Sequence, residues 1–108
     1  MSKIEQLNGD MQKKISYILS QQMEVPFEFF ITVTKVECAP SLKTARVFLS
    51  ILPFNKAKQG MAWVINRRKQ IQSFIAKDNR RKFTPILHFE HDDTEQTADE
   101  VYHIIDQL

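Results

Sequence analysis

Several residue types are scarce in this chain, and each scarcity excludes something. One cysteine, Cys38, cannot form an internal disulfide and suits a reducing, cytoplasmic setting. Only two glycines are present, Gly9 and Gly60, so neither a P-loop nor a dinucleotide fingerprint can be built. Both motifs need clustered glycines for the backbone to approach phosphate. No apolar run approaches the ~20 residues that cross a bilayer. The opening Met1-Ser2-Lys3-Ile4-Glu5 has neither the basic start nor the apolar stretch of a signal peptide, so no membrane association is expected. Repeats, low-complexity tracts and Ser/Gly linkers are absent as well.

What is present is ordinary in amount and uneven in arrangement. The 108 residues, 43% apolar and 26% charged, suffice for one folded domain, and residues 1–108 are read as one. The net charge of +2 conceals a division. Residues 1–55 hold six Lys/Arg and five acids, which is +1. Residues 56–85 hold nine Lys/Arg against Asp78 alone, and residues 86–108 hold seven acids with no Lys or Arg. A concentrated basic segment suggests a polyanion-binding face, and the acidic segment a face kept away from it. The alternative is that the two segments pair with each other or lie solvated.

The four prolines fall where the hydrophobic period changes. Ile4, Leu7, Met11, Ile15, Ile18 and Leu19 recur at helical spacing, with Gln12, Lys13, Lys14 and Gln21 on other faces. Residues 27–38 read as a strand, in which Phe27, Phe29, Ile31 and Val33 share one parity. That parity switches at Val36 and Cys38, so a bulge is expected near Lys35. After a turn at Ala39–Lys43, Ala45, Val47, Leu49 and Ile51 alternate in a second strand over 44–52, antiparallel to the first.

Past Pro53, Asn55 is placed to cap a helix carrying Ala57, Met61, Val64, Ile65, Ile71, Phe74 and Ile75. In a straight helix Arg68 would point into the core, which is costly, so a bend at Arg67-Arg68-Lys69 is expected. A third strand spans 86–90. Asp92-Asp93-Thr94-Glu95 would cap a final acidic helix with Ala98, Val101, Ile104, Ile105 and Leu108 on one face. The order α-β-β-α-α-β-α implies an α+β fold, with helices packed on one face of a mixed three-stranded sheet.

Two stretches resemble the ribosome-binding factor A family. One runs from Val33-Thr34-Lys35-Val36-Glu37 through Leu42-Lys43-Thr44-Ala45-Arg46-Val47 to Ile51. The other is Lys82-Phe83-Thr84-Pro85-Ile86-Leu87-His88-Phe89 followed by Asp92 and Thr94, with the terminal helix also similar. The resemblance covers nearly the whole chain. It implies a type II KH-like fold, no enzymatic activity, and association with the free small (30S) ribosomal subunit during late maturation of its 16S rRNA. Ribosomal proteins are a further candidate partner, and a monomer is expected. The family carries an Ala-x-Gly kink between its middle helices. Here Arg67-Arg68-Lys69 stands there instead, and a left-handed turn at Lys69 would cost about 1 kcal/mol or more. The Arg-rich opening common in the family's first helix is also missing.

The candidate RNA-binding residues are Lys56, Lys58, Arg67, Arg68, Lys69, Lys77, Arg80, Arg81 and Lys82. Several cations on rigid elements are what a phosphate backbone requires. Trp63 and Phe83 are candidates for base stacking, although Trp63, flanked by Ala62 and Val64, is better read as part of the core or its rim. His88, His91, His103 and Cys38 match no zinc spacing, and no nucleophile has a base partner, so no metal, cofactor or catalytic site is expected. Two other readings remain open. One is a KH-like binder of single-stranded RNA unconnected with ribosomes. The other is a protein-interaction module using the acidic last helix or the edge of the sheet.

Overall fold

The computed structural model describes residues 2–78 and 84–94. The final helix expected beyond Thr94, and Arg80, Arg81, Lys82 and Phe83, lie outside the described residues.

Helix α1 (Lys3–Tyr17) starts where the Ser2 hydroxyl accepts the Glu5 N–H at 3.1 Å. Leu7, Met11 and Ile15 are buried along one stripe, and a π-helical turn over Ile18–Gln22 adds Ile18 and Leu19 to the core. Strand β1 (Phe30–Cys38) pairs antiparallel with β2 (Thr44–Leu52), from Phe30 opposite Leu52 to Cys38 opposite Ala45. The register breaks between Val33 and Lys35, which is the bulge the parity switch implied. Strand β3 (Ile86–His91) lies parallel beside β2, giving the order β1-β2-β3. Helices α2 (Ala57–Asn66) and α3 (Arg68–Asp78) form the crossover between β2 and β3. This is the α-β-β-α-α-β order and mixed sheet that the resemblance implied.

One face of the sheet is the core. Val47, Leu49 and Ile51 of β2, Leu87 of β3, Val64 of α2 and Ile71 and Ile75 of α3 are fully buried there. A Cβ on Gly60 would sit 2.8 Å from Ile51 Cγ2 and 2.9 Å from its Cδ1, so glycine sets how closely α2 lies on β2.

Three sequence expectations need correction. The first strand begins at Phe30 rather than Phe27. Phe27 and Glu28 form a turn instead, which the Phe29 N–H closes by bonding to the Pro26 carbonyl at 3.5 Å. The turn leaves Phe27 93% exposed while Phe29 is buried. Asn55 is not a helix cap. It lies inside a 3-10 turn over Phe54–Lys56, and α2 begins at Ala57 with no side-chain cap. Ile65 is not in the buried stripe but 51% exposed, because α2 rests on the sheet through Gly60 and Val64, one helical turn apart.

Side-chain amides close parts of both sheet edges. Asn8 Oδ1 accepts the Cys38 N–H at 2.8 Å, and Gln12 Nε2 donates to the Val33 carbonyl at 3.1 Å. On the other edge, Gln72 accepts the Leu87 N–H at 3.1 Å and donates to the Pro85 carbonyl. Such bonds occupy backbone groups that an edge strand otherwise offers to a neighbour. The two stretches that carried the family resemblance also meet. Thr34, at the bulge, donates to the Asp92 carboxylate at 2.7 Å, and Asp92 in turn accepts the Thr94 N–H at 3.0 Å. These bonds, with Thr94's hydroxyl first and Thr34's second, hold the Asp92 carboxyl below the usual aspartate range.

Candidate nucleic-acid interface

The bend between α2 and α3 falls on a single residue, Arg67. Its backbone has φ −109° and ψ 14°, outside the helical region but open to any side chain. The Arg67 N–H bonds to the Val64 carbonyl at 2.9 Å, and the Arg67 carbonyl accepts the Ile71 N–H at 3.0 Å, so the two helices share a bonded junction. Lys69 is an ordinary helical residue of α3, and no residue from 67 to 69 has positive φ. The left-handed turn and its cost do not arise. This is how the chain bends without the family's alanine and glycine.

The bend sorts three cations. Arg67 lies with its guanidinium 4.4 Å from the Trp63 ring centroid and donates to the Trp63 carbonyl at 3.1 Å. Trp63 itself is half-buried at the core rim, edge-on to Phe29 at 6.4 Å. Arg68 is half-buried and, with Lys69, Gln72, Thr84 and Ile86, lines a shallow groove between α3 and β3. Lys69 is exposed. Arg68 and Lys69 thus occupy the first turn of α3, where the helix dipole disfavours cations and favours an anion.

The other described candidates are elsewhere. Lys56 and Lys58 stand at the opposite end of α2, about 15 Å of helix from the bend. Lys77, in the last turn of α3, lies about 180° around the helix from Arg68. It lines a second groove with Lys13, Lys14 and Tyr17 of α1. Periodicity assigns Lys13 and Lys14 only to a polar face of α1. What finds them is the packing of α1 against α3, which periodicity does not carry. The described cations of the basic segment are therefore divided among three places, and one of them draws two lysines from outside the segment.

Among the described residues, the ion pairs are Lys35–Glu37, Arg46–Glu37 and Arg46–Glu90, all on the open face of the sheet. None involves the crossover cations. Among the same residues no group of three or more His, Cys, Asp or Glu is placed to hold a metal, and no helix is long and apolar enough to cross a membrane.

The comparisons with known proteins bear on the family and the fold. The family model described as Ribosome-binding factor A matches residues 3–105. The chain is 29% identical over 105 residues to the ribosome-binding factor A of Natranaerobius thermophilus, covering 96% of this chain and 80% of that one. It is 30% identical to the Thermomicrobium roseum protein of the same description, covering 91% and 77%. The crystal structure of ribosome-binding factor A from Thermus thermophilus superposes with a TM-score of 0.72 at 17% identity, covering 82% and 93%. A homology model of the Thermus thermophilus factor, as fitted into a cryo-EM map of its 30S complex, gives 0.64 at 16% identity, covering 81% and 92%. At those identities the structural likeness is one of fold. With a match running through nearly its whole length, this chain belongs to the ribosome-binding factor A family.

Proposed function

We propose that this protein associates with the free small ribosomal subunit and assists late maturation of its 16S rRNA, holding phosphates with the basic surface of its crossover helices. The observation that carries the reading is the set of crossover cations with no ion-pair partner among the described residues. Arg68 and Lys69 at the α3 N-terminus supply charge where the helix dipole also favours an anion, an arrangement that suits a phosphate. Lys13, Lys14 and Lys77 offer a second contact across α1 and α3. Family membership supports the ribosomal partner, and the fit of the Thermus factor into a 30S complex supports the small subunit. The work is binding, with no catalytic step.

Co-sedimentation with ribosomal fractions tests this. The protein should run with free small subunits. If about five cations contact phosphate, log K against log salt should fall with a slope of about −3.5 to −4.5. Equal binding to unrelated single-stranded RNAs would favour a general KH-like binder, and salt-independent association would point to apolar protein contacts.

A further inference from the structure

Apart from the basic grooves, a different surface opens at the start of β1. Tyr17, Phe27 and Phe30 are 58%, 93% and 72% exposed, and all three line a groove floored by Leu19 and Met23. Exposed aromatics gathered around one concavity are characteristic of interaction sites. Glu24 also lines this groove, Glu28 adjoins it, bonded to Gln59 at 2.9 Å, and no Lys or Arg is among the lining residues.

The same groove runs along an edge strand. Asn8 and Gln12 occupy backbone groups of β1 from Val33 onward. The Val33 carbonyl faces that edge, so Ile31, two residues earlier and of the same parity, also turns its backbone groups outward. Among the described residues no side chain is bonded to them.

We propose that this groove takes an extended, basic segment of a partner protein, which adds as a strand beside Phe30–Val33 and lays apolar side chains among Tyr17, Phe27 and Phe30. Main-chain bonds to Ile31 would give affinity, and the aromatic walls with Glu24 and Glu28 would select alternating apolar and basic residues. The acidic rim disfavours an RNA backbone. It disfavours a second copy too, since an edge-to-edge pair brings like carboxylates together. The chain's own residues 95–108 carry four acids and no Lys or Arg, the wrong sign for this rim.

The test uses the full chain and an octapeptide of alternating lysine and valine, with the glutamate–valine octapeptide as comparison. The lysine peptide should shift the Ile31 and Val33 amide resonances saturably and slow hydrogen exchange at Ile31. The glutamate peptide should bind at least about tenfold more weakly. Phe30→Ser and Phe27→Ser, both at exposed positions, should each weaken peptide binding by about tenfold. Neither should alter co-sedimentation with small subunits, so this proposal and the ribosomal reading can fail separately. No saturable shift at Ile31, or equal binding of both peptides, overturns the proposal. So does oligouridine shifting the same amides, which assigns the groove to RNA, or a dimer that Phe30→Ser abolishes, which assigns it to a second copy.

Discussion

On the open sheet face, Arg46 bridges Glu37 on β1 at 3.4 Å and Glu90 on β3 at 2.7 Å, and its guanidinium lies 4.9 Å from the Phe48 ring centroid. Lys35 pairs with Glu37 and lies 5.6 Å from the same ring. These charges are balanced inside the fold, and Glu37 is held below the usual glutamate range chiefly by Lys35. The crossover cations, by contrast, have aromatic or helical neighbours but no carboxylate among the described residues. A count of Lys and Arg treats both sets alike. On the proposed reading the second set is the one that meets a polyanion, because a paired cation must first give up its carboxylate.

The largest expected effect separates the two sets directly. Arg67→Glu, Arg68→Glu and Lys69→Glu together should weaken small-subunit binding by on the order of a hundredfold or more at physiological salt and flatten the salt slope. Arg46→Glu should change affinity by less than about threefold. Equal losses in filter binding or co-sedimentation would dissolve the distinction.

A smaller effect concerns the acidic side, where Asp92 is structural. Asp92→Asn should destabilise the fold by about 1 kcal/mol, measured by denaturant unfolding, since it weakens the bonds to Thr34 and Thr94. The folded carboxyl titrates below its unfolded value. Its stabilisation is therefore present above the unfolded value and lost as pH falls through the folded one. The variant should lose part of the wild type's stability slope in that acidic window and match it in small-subunit binding.

The smallest effect falls on Arg67, the crossover cation stacked on Trp63. Arg67→Ala should cost about 0.5–1 kcal/mol of stability through the lost Trp63 stacking, and only one phosphate contact in the salt slope. A slope unchanged from wild type would make Arg67 a structural residue of the bend.

Legibility followed the range of the interaction. The hairpin, the bulge and the bend could be read because strand parity and the cost of burying Arg68 are local properties. Phe27 misled because strand-like parity continued into a turn that the Pro26 carbonyl closes. Asn55 misled because the chain winds into a 3-10 turn before α2 begins. Residue spacing located the junction triplet but left its geometry open, since a backbone in the bridge region needs no special residue.

The order of elements, the segregation of charge and the need for a bend before Arg68 all follow from residue spacing along a few turns of chain. Packing alone settled, among the described residues, which cations are paired, that Lys13 and Lys14 join Lys77, that Thr34 holds Asp92, and which stretch of the β1 edge carries no side-chain bond. Those outcomes depend on distances between residues far apart in the chain, which periodicity does not encode.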